Sequence, residues 1–323
     1  MKPKAAFYWC GSCGGCEAAF LDLAEGLLDL VERVEFVFWP LILDSTKEEL
    51  EALPDGGLKI TLISGMVNGP EQEEMAKLLR EKSKSIVAFG ACAQLGGLPG
   101  LWNLYGWEGI KARLYKDKDK DKDREGEDSA LPELWEAVKP LDQVIEVDYY
   151  LPGCPPLPQW ITIMLNGLLS DEPPPKGTNF VPEKVLCSVC PRRETRPKRL
   201  SLPEIRRFHQ VELDPEACLL AQGFVCFGPA TRAGCGALCI RGNMPCTGCF
   251  GPPGPGRTKD YGTRALAAIA SLVSPSGDLE ERGGPALPDP AGVFYFYSLA
   301  ALPAHLSLSP SRKPRAEEKS SVS

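Results

Sequence analysis

Eight of the chain's 13 cysteines fall between residues 187 and 249, in a stretch where glycine and proline leave no helical or strand periodicity across 215–256. Such a segment buries little apolar area by itself, so something other than a packed core must organise it. Two pairs are spaced C-x-x-C, Cys187/Cys190 and Cys246/Cys249, and Cys218, Cys226, Cys235 and Cys239 accompany them. This makes two groups of four in the manner of iron–sulfur ligation. Histidine has little share in it, because the chain holds only His209 and His305.

Free thiols and disulfides are the competing readings, and they depend on compartment. The N-terminus, MKPKAAFYWC, shows neither a charged-then-apolar signal segment nor twin arginines, and no apolar run approaches the roughly 20 residues of a membrane helix. A cytoplasmic protein is expected, where structural disulfides are rare and abundant thiols point to metal. A net charge of −7 argues against a nucleic-acid footprint.

The N-terminal half alternates strand and helix. Strands are expected over 5–9, 34–40, 58–65, 85–92 and 143–154. Phe20, Leu23, Leu27, Leu28 and Val31 form a helical stripe within 17–32, and further helices are expected over 71–82 and 157–169. The 71–82 segment carries acid early and base late, which suits the helix dipole. This alternation predicts an α/β fold, a flavodoxin-like parallel sheet with helices on both faces. Residues 1–170 would form that domain and the proline-rich 171–186 a linker. A smaller irregular metal-binding domain would occupy 187–300, and a disordered tail 301–323.

On such a sheet Cys13 and Cys16 follow strand one, Cys92 strand four and Cys154 strand five. All four come to the carboxyl edge, where open α/β sheets bind ligands. Four thiolates on one rim suit a 4Fe–4S cluster, with the amides of the following helix and Gly14–Gly15 beside it. In the plain alternative, Cys92 and Cys154 are small buried hydrophobes. Zinc is a second alternative, although its four-cysteine sites more often come as two nearby knuckles. A redox dithiol explains only one pair.

Taken in order, WCGSCGGCE, NGPEQEEMAKLLREKSKSIVAFGACA, GGLPGLWNLYG, LPGCPP, CSVCPRRE and CFGPATRAGCGALC…PCTGC resemble the small, electron-transferring subunit of a nickel–iron hydrogenase. The likeness covers most of residues 5–300 and looks closest to the cytoplasmic, methyl-viologen-reducing type that feeds a heterodisulfide-reductase-like complex. The resemblance implies three 4Fe–4S clusters. Cys13, Cys16, Cys92 and Cys154 would hold the proximal one, Cys187, Cys190, Cys218 and Cys226 the distal one, and Cys235, Cys239, Cys246 and Cys249 the medial one. Many respiratory relatives carry histidine at the position of Cys187 and only three medial cysteines; here Cys239 supplies a fourth. The partners implied are a large subunit with the nickel–iron centre and an iron–sulfur or flavin acceptor subunit.

Two rivals stand beside this reading: a complex-I-like quinone oxidoreductase small subunit, which would account for the N-terminal half alone, and a zinc-stapled adaptor. Cys10 reads as an apolar residue ending strand one. Glu17 reads as a helix-dipole partner, with proton movement at a subunit boundary as the alternative that the resemblance supplies. The run KDKDKDKDREGED (116–128) reads as a solvated loop. No G-x-G-x-x-G or Walker pattern is present.

Overall fold

In the computed structural model the described residues are 2–114, 132–198, 205–207, 209, 211–254 and 290–302. The charge run at 116–128 and all but the first two residues of the expected tail lie outside them. Five parallel strands, β1 (Lys4–Trp9), β2 (Glu35–Phe38), β3 (Leu58–Ser64), β4 (Ile86–Phe89) and β5 (Tyr149–Leu151), pair in the order β2-β1-β3-β4-β5. This is the flavodoxin-like order of a doubly wound sheet.

Strand periodicity sends alternate side chains to opposite faces. Phe7, Ile60, Leu62, Val87 and Phe89 enter one core with Phe20 and Trp39, where the Phe7 ring lies 5.4 Å from Phe20, 5.1 Å from Trp39 and 5.2 Å from Phe89. Ala6, Leu58, Ile63, Ile86 and Ala88 enter the other. The first face is covered by α1 (Gly15–Leu21), α2 (Glu25–Arg33) and α7 (Pro158–Leu169). The second is covered by α3 (Lys47–Glu51) and α4 (Pro70–Lys82). Thr46 and Glu49 close a capping box at the start of α3.

Three expected boundaries move. The stripe over 17–32 is two helices, because Ala24 takes φ +49° and breaks the chain without interrupting the apolar spacing. The expected strand over 85–92 stops at Phe89, and α5 (Gly90–Leu95) follows immediately, so Cys92 lies on a helix. The expected strand over 143–154 shortens to three residues, preceded by a 3-10 turn at Leu141–Gln143. The apolar residues before Tyr149 fill the second core from irregular backbone. Between α5 and that turn lies α6 (Gly106–Leu114).

Beyond α7, the proline-rich stretch runs beside β5: Tyr150 N–H donates to Thr178 O and Phe180 N–H to Tyr150 O, each at 3.1 Å. From residue 184 onward regular structure is sparse. Among the described residues it amounts to a 3-10 turn at Leu186–Val189, α8 (Leu238–Arg241), α9 (Pro290–Phe294) and a 3-10 turn at Leu299–Ala301. A third core nevertheless forms from Leu186, Leu219, Leu220, Phe224, Phe227, Ile240 and Phe294, with Cys226 and Cys246 inside it. The missing periodicity hid these residues, because loops deliver them one or two at a time.

Candidate metal centres

β1 runs out at Trp9, and Gly11 then pairs with Met66 through reciprocal 2.9 Å hydrogen bonds. The chain turns over the sheet edge at Gly14 and starts α1, which carries Cys16. Cys92 on α5 and Cys154 after β5 reach the same edge. Their charges act on one another. Burial first, then the Cys154, Cys13 and Glu17 charges, pushes Cys92 up to about 12. Cys16 is raised by burial, then by Cys92, Glu17, Cys154 and Cys13.

The second set gathers in the irregular region. Cys187 lies on the Leu186–Val189 turn and is pushed up to about 12 by burial, then by Cys226, Cys190 and Cys218, with Arg196 opposing. The third set, Cys235, Cys239 on α8, Cys246 and Cys249, lines one cavity of about 160 Å³ together with Cys154. Burial and then Cys235, Cys154 and Cys239 push Cys249 up to about 12, while the Cys154 N–H hydrogen bond opposes this. Cys239 thus lines one cavity with Cys235, Cys246 and Cys249, and Cys154 lines it too.

Two junctions link these thiols: Cys154 and Cys249 line the same cavity, and Cys246 N–H donates to Cys226 Sγ at 3.4 Å. No disulfide joins any of the 13 cysteines.

The donor sets fit iron–sulfur clusters better than single ions. Zinc binds sulfur at about 2.3 Å and draws its ligands tightly together. Among the described residues, no three His, Cys, Asp or Glu side chains are spaced to share one ion. The thiols are close enough to raise one another, and a cationic iron core offsets that repulsion. The backbone also leaves room around the sulfurs. Gly90 takes φ +88°, and a Cβ there would lie 2.5 Å from Cys16 Sγ; a Cβ on Gly228 would lie 2.9 Å from Cys187 Sγ.

Other residues sharpen the site. Cys10 is buried in the second core, and burial followed by the Glu17 charge pushes it up to about 12. Glu17 falls in the first turn of α1, where a helix-dipole partner belongs, but out of solvent. It is buried, Ser64 Oγ donates to its Oε1, burial raises it, and its Oε2 has no hydrogen-bond partner. Arg192, quoted in CSVCPRRE but given no role by the sequence, is buried. It donates to Asp214 O (3.3 Å), Ala217 O (3.2 Å), Ile240 O (3.2 Å) and Asn243 Oδ1 (2.7 Å). It thus ties the Cys190, Cys218 and Cys239 loops together. Tyr297, also missed, is raised by burial and then by the Cys154 and Cys249 charges; the aromatic run FYFY (294–297) was its only signal.

The family described as NADH ubiquinone oxidoreductase, 20 Kd subunit, matches residues 13–168, the sheet portion alone. The F420-non-reducing hydrogenase iron-sulfur subunit of Archaeoglobus profundus is 41% identical over 288 residues, 85% of this chain and 89% of that protein. The corresponding F420-non-reducing hydrogenase subunit of Methanothermobacter marburgensis is 36% identical across 93% of this chain and 95% of that one. The chain belongs to the family of F420-non-reducing hydrogenase iron-sulfur subunits. This is the methyl-viologen-reducing type that its motifs resemble, and it makes the chain an iron–sulfur subunit of an oxidoreductase whose catalytic site lies in the large subunit. The match over the cysteine-rich region excludes a complex-I-like subunit confined to the sheet. The fold is shared with the H2-activated NiFeSe hydrogenase of Dm. baculatum (TM-score 0.52, 18% identity, 78% of this chain and 95% of that one).

Proposed function

We propose that this subunit relays electrons between the dihydrogen-splitting centre of the large subunit and an external acceptor, through three 4Fe–4S clusters held in a row. Cys13, Cys16, Cys92 and Cys154 would hold the proximal cluster, Cys235, Cys239, Cys246 and Cys249 the medial, and Cys187, Cys190, Cys218 and Cys226 the distal. The observation that supports the order is the pair of junctions: Cys154 in one cavity with Cys249, and Cys246 N–H donating to Cys226 Sγ. When bound, each cluster supplies a one-electron site, whose potential depends on burial and on hydrogen bonds to sulfur.

Exposed residues support a reading of the two ends. Cys13 and Cys154 are exposed at the carboxyl edge of the sheet, the edge at which Trp9 ends β1 and Leu41 and Ile42 follow β2; these three are 42%, 50% and 47% exposed. Apolar surface of this kind marks a protein interface, and the large subunit would cover it. At the other end Cys187 and Cys190 are partly exposed on either side of Val189. An iron–sulfur or flavin acceptor subunit, heterodisulfide-reductase-like as the resemblance implies, would dock there. The organisation into a sheet domain over 1–170 and a cluster domain over 187–300 belongs to the same proposal, as does a cytoplasmic location. No helix among the described residues is long and apolar enough to cross a membrane.

Iron and acid-labile sulfide, measured on anaerobically purified complex, test the relay. About twelve irons per chain are expected. About four would restrict the chain to one cluster, and zinc without sulfide would end the proposal in favour of a stapled adaptor.

A further inference from the structure

Basic side chains gather around the turn that carries Cys187. Lys184 precedes this turn, Leu186–Val189, and Arg193 follows it. The two line one open groove of about 460 Å³ with Val185, Ser188 and Val189. Arg193 Nη1 donates to Ser188 O at 3.2 Å, and its backbone N–H to Cys190 O at 3.1 Å, so the guanidinium is held against the cysteine turn. The chain then bends again to bring in Arg196, whose N–H donates to Arg193 O at 3.2 Å. Lys184, Arg193 and Arg196 are all exposed, and Val189, in the same groove as the first two, is 52% exposed. Two carboxylates stand nearby: Glu194, 3.9 Å from Arg193 Nε, and Glu183, 3.7 Å from Nη1 of the buried Arg232.

The chain as a whole carries a net charge of −7. A basic face on an acidic molecule orients a charged partner: an acidic protein is repelled by the net charge and drawn to this face. Encounters between electron carriers bury little area, so rim charges have a large part in deciding where they meet. The exposed Val189 offers an apolar centre for such a contact. We propose that Lys184, Arg193 and Arg196 form a basic docking rim beside Val189, and that the electron acceptor meets it with an acidic protein face. The inference deepens the relay reading above and rests on it.

It is tested on the acceptor-free complex of this chain with its large subunit, with a small acidic plant-type ferredoxin as the probe. Binding is followed by biolayer interferometry at ionic strengths from about 0.01 to about 1 M, over which the screening length shrinks from about 30 to about 3 Å. Wild type should bind the ferredoxin and release it as salt rises. Lys184→Glu with Arg193→Glu should slow association at low salt by about tenfold or more. Lys77→Glu with Lys84→Glu, on α4 and the loop that enters β4, changes the net charge equally and should bind as wild type does. Arg193→Lys keeps the charge and should also bind as wild type does. Should Arg193→Glu lose iron, Lys184→Glu with Arg196→Glu is read by the same criterion. An unmoved association rate, or an equal loss in the Lys77 and Lys84 control, overturns the rim. So does a double-stranded DNA oligonucleotide that binds as tightly as the ferredoxin, since the face would then take any polyanion. About twelve irons in every variant with ferredoxin binding unmoved overturns the rim alone, whereas about eight in wild type would refute the distal cluster on which it rests.

Discussion

Residues 4–180 and 184–302 gather their candidate cluster thiols by opposite means. In the first region the sheet comes first. Ladder hydrogen bonds and two apolar cores fix five strands, and Cys13, Cys16, Cys92 and Cys154 are added at one edge. In the second the sulfurs are part of the interior: Cys226 and Cys246 pack among Leu219, Phe224 and Phe227. Little backbone hydrogen bonding is repetitive there, and Arg192 makes side-chain bonds where a sheet would make ladder bonds. The same ligand chemistry thus rides on a scaffold in one half and is the scaffold in the other.

The largest expected consequence is split stability in cluster-free protein. Metal binding to such segments contributes folding free energy directly, on the order of 10 kcal/mol in structural zinc sites. Removing iron with a chelator should expose residues 184–254 to protease while the 4–114 and 132–180 segments persist. The small core around Phe224 and Phe227 should survive only as residual structure. Equal resistance of both regions to limited proteolysis would erase the contrast.

Single-cysteine changes sharpen it. Cys92→Ser or Cys154→Ser should abolish dihydrogen-dependent dye reduction in the complex and lower its iron by about four per chain, yet leave the sheet's circular dichroism intact. Cys246→Ser should cost iron and local protection together, because its sulfur is both candidate ligand and core atom. Proximal variants that unfold the sheet would show that the edge is not a mere attachment site.

Arg192→Leu should act on the second region alone. It removes the donor to Asp214 O, Ala217 O, Ile240 O and Asn243 Oδ1; Gln222 Nε2 still donates to the first two, and the buried Ile240 O is left unpaired at about 1–3 kcal/mol. Hydrogen exchange should quicken around 214–217 and 240–243 and stay unchanged in β1, β3 and β4.

The contrast also explains what was legible in the sequence. Apolar alternation and helical spacing disclosed the strands near 5–9 and 58–65 and the helices near 71–82 and 157–169, since periodic burial leaves a periodic pattern. The break at Ala24 and the early end of β4 were hidden, because both leave the apolar spacing undisturbed. Cysteine spacing singled out the C-terminal eight and the four at the sheet edge as candidate ligands, and the family resemblance divided the eight. Neither disclosed Arg192 or Tyr297, whose surroundings depend on loops meeting far from each other in sequence.

The smallest expected effect lies in the sheet region and sets the acid limit of the half that needs no iron to fold. Asp148 precedes β5 with its side chain fully buried. Burial would raise its carboxyl, yet hydrogen bonds from Lys176, Arg80 and the Ile86 N–H outweigh this and hold it below the usual range. Lys176 Nζ lies 2.6 Å from Oδ1 and the Ile86 amide 2.8 Å from Oδ2. A carboxyl depressed in the folded state stabilises the protein above its unfolded pKa, about 3.9, and that stability is lost as pH falls through the lower folded value. Wild-type sheet should therefore hold its stability down to about pH 4 and lose this contribution below it. In Asp148→Asn the carboxylate partner of Arg80 is gone at every pH, so the variant should be less stable near neutrality by up to about 3 kcal/mol. Its stability should then fall less between about pH 4 and pH 2. Denaturant melts of cluster-free wild type and variant, followed by circular dichroism at several pH values, measure both slopes. Parallel slopes would mean that Asp148 titrates alike in folded and unfolded chains, and that the edge strand β5 owes nothing to the Arg80–Asp148–Lys176 group.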